Sequence, residues 1–147
     1  MKNMKNMNKT IISFIGFFIA ATIQFLIDIS EYPCKVGPND NLFYGLSLLY
    51  IHHVLDIYIY FGGYFTNPLY HLITIVILLI HWITNDDKCF LTQWVNAVCY
   101  PEYSLTNNYK RFNDFSNMLG IQDKYPNIHY YYVIFMICYD LLKIYKY

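Results

Sequence analysis

The chain has 147 residues, of which 56% are apolar, 20% aromatic and 14% charged. That length is short for two ordinary domains and that charge is low for a soluble one, so the composition points toward a membrane. Ten basic and ten acidic residues cancel, leaving no global basic face for nucleic acid and no acidic tail for solubility. The expected partners are therefore the lipid bilayer, other membrane proteins or further copies of the chain, and not nucleic acid.

Residues 1–10 form a basic polar head with Lys2, Lys5 and Lys9 and no acid, followed by a long apolar stretch from Ile11 to Ile27. A basic head before an apolar run is also the form of a secretory signal. The run is long for one, however, and no small-x-small cleavage motif precedes Asp28, Ser30 and Glu31, so an uncleaved first span over 11–29 is expected. The segment from Tyr32 to Asn41 holds two prolines, a glycine and Asx residues and reads as a turn-rich loop. Leu42 to Phe65 has about the ~20 residues that a tilted transmembrane helix needs. Thr66-Asn67-Pro68 is a tight breaker, and 69–85 contains the most apolar window of the chain. So short a connection makes the second and third spans antiparallel neighbours.

The long polar region, 86–127, holds four of the ten basic and five of the ten acidic residues. Within it, Phe90 to Val98 and Tyr109 to Leu119 read as short amphipathic helices lying at the membrane surface. A last apolar stretch, 128–146, carries Asp140, Lys143 and Lys146, with Tyr130, Tyr131 and Tyr132 at one end and Tyr145 and Tyr147 at the other, suited to the two interfaces. The predicted fold is all-α: a single membrane domain, an integral bundle of four transmembrane helices with a long surface loop before the last. A soluble bundle fails on Leu69 to Ile83, which is apolar almost all round and has no solvent face. Five Lys or Arg at the two ends against five in the first and third loops is a tie by count; only the three lysines packed into the head lean toward cytoplasmic termini.

Polar groups inside a membrane are costly, so their position around each helix is informative. At ~100° per residue, Gly45, His52, Asp56 and Gly63 share one stripe of the second span, and His71, Thr74, His81 and Asn85 share one arc of the third. The fourth offers His129, Tyr132, Asp140 and Lys143. The first offers Ser13, Gly16, Ala20 and Gln24, with Gly16 and Ala20 in the spacing that permits close helix approach. Folding the hairpin at Thr66 sets His52 and His53 opposite His81, and His71 opposite Gly62 and Gly63, whose missing side chains leave room. Four roles compete for His52, His53, Asp56, His71 and His81: structural hydrogen bonding, with His52 to Asp56 one turn on; a transition-metal site; bis-His haem ligation; and a proton relay or substrate path.

Cys34, Cys89 and Cys99 fall in loops on one side of the four-span arrangement, and Cys138 within the last span. If those loops face an oxidising lumen, one disulfide among the three is feasible, with Cys89 to Cys99 the shortest closure; two free thiols are the alternative. The sequence has no Cys-x-x-Cys pair, zinc-module spacing, Gly-rich phosphate loop, nucleophile elbow or H-E-x-x-H helix, so no enzyme chemistry is recognisable.

The run from Tyr50 to Cys99 resembles a family of small multi-span bacterial integral membrane proteins of unknown function. Its pattern is a His on one span, Gly-Gly at its end, His-Leu opening the next span, then Cys-Pro-Leu-Thr and an acid. Here His53, Gly62, Gly63, His71, Leu72, Cys89, Leu91 and Thr92 fill those places. Phe90 stands in place of the proline, no acid follows Thr92, and His81 stands near a position where that family often has a carboxylate. The resemblance implies the multi-span fold and no activity. The Ile, Asn, Lys, Tyr and Phe bias also resembles uncharacterised membrane proteins of large AT-rich DNA viruses. The expected function is a structural or assembly component of a membrane, viral or endomembrane. The alternative is an intramembrane His/Asp site binding a transition metal or haem, or relaying protons.

Overall fold

The computed structural model describes residues 2–37, 40–101, 121–125 and 127–146, and every regular element among them is a helix. In chain order these are α1 (Lys2–Glu31), α2 (Leu42–Phe65), α3 (Pro68–Thr84), α4 (Phe90–Cys99), the single turn α5 (Ile121–Lys124) and α6 (Ile128–Tyr145). Two stretches are long and apolar enough to cross a membrane, Ile11–Glu31 within α1 and the 24-residue α2. At 17 residues α3 is apolar but shorter. The fourth expected span, α6, is diluted by His129, Asp140, Lys143 and its tyrosines and does not meet the same measure. The second amphipathic helix expected, over Tyr109 to Leu119, lies outside the described residues.

Local chemistry sets the helix ends. The Asn41 side chain accepts from the Phe43 N–H and that of Asn67 from the Leu69 N–H, each satisfying a donor that the first turn leaves orphaned. Pro68 follows at the first position of α3, where the missing N–H costs nothing and the fixed φ suits a helix. The α3 C-terminus runs into a turn in which Asp86 and Asp87 take positive φ, a conformation that short Asx side chains tolerate.

The axis of the bundle is α2, packed on α1, α3, α4 and α6. With 24 residues it is about 36 Å long, whereas α3 spans about 26 Å and α4 about 15 Å. The two short helices divide the long one between them. α3 covers the C-terminal half of α2, with Ile75 against Ile59, Val133 and Met136. α4 covers the N-terminal half, where Val95, Val98 and Cys99 pack on Leu48 and Leu49. The helix expected over Phe90 to Val98 is therefore present, but its apolar face is spent on α2 inside the bundle, burying Thr92, Val95, Asn96 and Val98.

The α1 face that meets α2 consists of Phe17, Ala21, Gln24 and Asp28, all buried. Gly16 is exposed, with nothing within 4 Å of the place a Cβ would take. The Gly16 and Ala20 spacing is thus not what brings α1 to its neighbour; the contact stripe is rotated by one residue. Outside this core the helices present large apolar side chains outward: Ile15, Phe18 and Ile19 on α1, Ile73, Ile77 and Ile80 on α3, Ile134 and Phe135 on α6.

Candidate functional site

Around α2 the polar residues form a seam whose positions meet groups from outside α2. At the N-terminal end Gly45 faces a disulfide between Cys34 and Cys99, whose Cα atoms are 4.6 Å apart. A Cβ on Gly45 would lie 2.7 Å from the Cys99 Sγ and 2.9 Å from that of Cys34, so only glycine admits the bond against the helix. The pairing expected as the shortest closure, Cys89 to Cys99, is not the one formed: Cys89 is not disulfide-bonded and stands at the N-cap of α4. The reason is that α4 is a continuous helix of ten residues, which carries Cys99 about 15 Å from Cys89 and delivers it to the loop after α1. The Lys35 N–H donates to the Cys99 carbonyl at 2.9 Å, and the Tyr100 hydroxyl to that of Tyr32 at 2.6 Å, tying down the same junction.

Two turns along α2, His52 Nδ1 lies 3.4 Å from the Thr92 hydroxyl of α4. His53 Nε2 lies 2.9 Å from Asp28 Oδ2 of α1, with both side chains buried. Asp56 accepts from the Gln24 amide at 2.7 Å, a partner contributed by α1. The ring planes of His52 and His53 are 71° apart with centroids separated by 5.4 Å.

At the C-terminal end, His71 enters the notch left by Gly62 and Gly63, as hairpin geometry predicts. A Cβ on Gly62 would sit 2.6 Å from His71 Cδ2, and one on Gly63 would sit 2.7 Å from Asp140 Oδ1 and 3.1 Å from His71 Nδ1. Within the notch His71 Nδ1 is 2.5 Å from Asp140 Oδ2, both side chains being wholly buried, and His71 Nε2 is 3.1 Å from the Tyr58 carbonyl oxygen. One turn beyond Asp140, Lys143 Nζ donates to the Gly63 carbonyl at 2.7 Å and lies over the Tyr139 ring.

His81 stands apart from this seam. Its Nε2 accepts from the Phe90 N–H at 3.1 Å and lies 3.4 Å from the Asn85 amide. It thereby caps the start of α4, where Cys89 makes no side-chain cap. The five residues His52, His53, Asp56, His71 and His81 therefore do not converge. Among the described residues no three of His, Cys, Asp or Glu are grouped so as to hold a metal ion. His52 faces Thr92, His53 faces Asp28, Asp56 faces Gln24, His71 faces Asp140, and His81 faces the start of α4.

Asp28 is the residue that sequence reasoning missed. It falls inside the expected first span and outside the polar face assigned to it, yet it lies eleven residues along the stripe Phe17, Ala21, Gln24, Asp28, the periodicity of a buried helix face. That spacing was available in the sequence. No protein-family model, curated protein or solved structure matches the chain.

Proposed function

We propose that the chain is a four-span membrane protein, with α1, α2, α3 and α6 crossing the bilayer, and that it serves as a structural or assembly component of a membrane, viral or endomembrane. The observation that carries this reading is the inverted distribution of polarity. Asp28, His53, His71 and Asp140 are at most 1% exposed, while isoleucines and phenylalanines of α1, α3 and α6 face outward. Lipid accepts that outer surface, and a bundle interior is where intramembrane charges belong. α3 and α6 are short for a span, and tilt and local thinning of the bilayer accommodate such lengths at modest cost.

The disulfide supports one orientation over the other. A Cys34–Cys99 bond persists in an oxidising compartment, and the antiparallel order of the helices sets it at the opposite end from Lys2, Lys5 and Lys9. Positive charge retained on the cytoplasmic side and a disulfide on the other side agree on one orientation.

The test is purification of the full chain from membranes in mild detergent, with cross-linking, metal content and visible absorption recorded. The expected result is a colourless, metal-free protein, extracted only by detergent and cross-linked to itself or to other membrane proteins. A Soret band, stoichiometric transition metal, or release by alkaline carbonate would contradict the reading.

A further inference from the structure

The geometry points to His71 and Asp140 as a proton-binding site, in which one exchangeable proton lies between His71 Nδ1 and Asp140 Oδ2 in the notch left by Gly62 and Gly63. The deduction rests on what each partner can donate. His71 Nε2 faces the Tyr58 carbonyl at 3.1 Å; a carbonyl only accepts, so Nε2 carries a hydrogen. His71 Nδ1 faces Asp140 Oδ2 at 2.5 Å, an approach that two bare lone pairs do not make and that a charge-assisted hydrogen bond does. A hydrogen therefore lies on that line as well. The ring and the carboxyl group together hold two protons, one more than a neutral imidazole beside a carboxylate. With the shared proton on Nδ1 the pair is imidazolium and carboxylate, which leaves it buried with no net charge.

The other histidines do not share this arrangement. His81 Nε2 accepts from the Phe90 N–H, which leaves that nitrogen bare. His53 lies near Asp28, but neither ring nitrogen is aligned for a hydrogen bond, so its contacts fix no proton count. At the notch the neighbouring titratable groups are Tyr58 from α2, whose ring centroid is 5.1 Å from that of His71, and Tyr139 and Lys143 from α6, with Tyr64 of α2 stacked on Tyr139 at 4.9 Å. The α1 residues packed near Tyr58, Phe17 and Ala21, carry no titratable group.

Release is balanced as follows. The Nδ1–H bond breaks and the proton passes to water at the α2–α3 turn, where Asn67, one turn before His71, is exposed. Imidazole with its Nε2–H and the Asp140 carboxylate remain, a net charge of minus one. Lys143 lies one turn beyond Asp140 on the same helix, its ammonium donating to the Gly63 carbonyl, and Asp140 Oδ1 is buried without a hydrogen-bond partner. The inference does not depend on the bundle crossing a bilayer, so failure of the topology leaves it standing.

Nitrogen NMR of the full chain with 15N-histidine, in detergent micelles, tests the site. The expected spectrum has both ring nitrogens of His71 protonated and Nε2 of His81 bare. Asp140→Asn is expected to return His71 to a ring with a single N–H. A wild-type His71 with one bare nitrogen overturns the assignment, as does an Asp140→Asn spectrum in which both nitrogens of His71 stay protonated. The wild-type spectrum decides the first point by itself, so misfolding of the variant leaves the proposal tested.

Discussion

Gly63 and Gly16 are both glycines on apolar helices, and their surroundings could hardly differ more. Adding a methyl group at Gly63 drives it against Asp140 Oδ1 and Met136 Cε, at 2.7 and 2.8 Å, whereas at Gly16 it meets nothing within 4 Å. Gly63→Ala is expected to destabilise the folded chain by about 1–3 kcal/mol, as overpacking does, and Gly16→Ala to leave it unchanged or slightly firmer through better helix propensity. Thermal unfolding in a single detergent reads both. The Asp28 and His53 pair makes a second contrast. Removing one partner strands the other in a buried site, so Asp28→Leu and His53→Leu should each cost roughly 3–5 kcal/mol, while the double variant, which leaves no lone charge, should cost clearly less than either. Additive losses would contradict the pairing. At this scale much was legible: the stripe of His52, Asp56 and Gly63, and His71 facing the two glycines, follow from helical periodicity and a tight hairpin. Which acid meets which base did not follow. Asp56 reaches Gln24 and His53 reaches Asp28 through the packing angle between α1 and α2, which no periodicity within a single helix specifies.

Among the elements, α4 departs furthest from its sequence appearance. Amphipathic and bounded by polar turns, it reads as a helix resting on a membrane surface, but the deficit in α3 leaves the N-terminal half of α2 uncovered and α4 fills that place. His81 caps it at one end and the Cys34–Cys99 disulfide fastens the other. The bond closes a separation of 65 residues, for which a chain-entropy model allows a few kcal/mol, on the order of 2–4 in practice. Cys34→Ser and Cys99→Ser are both expected to abolish the mobility difference between reduced and unreduced protein on a gel. Cys89→Ser should retain that difference, since Cys89 takes no part in the disulfide. If Cys89→Ser abolishes it, the pairing is wrong. The cysteine partner was hidden in the sequence because chain proximity favours Cys89, and only the stiffness of a formed helix rules that neighbour out.

At the scale of the molecule, a central helix is wrapped by neighbours that place their buried polar groups and part of their apolar surface against it and present further large apolar side chains outward. The low charge fraction already indicated a membrane, and the helical stripes already indicated that the exceptions point inward. What the sequence left open was orientation, because Lys and Arg divide evenly between the two sides. In the proposed arrangement the disulfide favours one orientation, since thiol oxidation and positive charge report on opposite faces of a membrane. The most direct measurement of the four-span arrangement is glycosylation mapping in microsomes, with the natural Asn8-Lys9-Thr10 acceptor removed by Asn8→Gln. An Asn-x-Thr acceptor introduced between residues 102 and 120 is expected to be glycosylated, and one appended after Tyr147 is expected to remain unmodified. Glycosylation of the appended acceptor together with a silent loop acceptor would contradict the proposed orientation, and modification of both would contradict α6 as a membrane span.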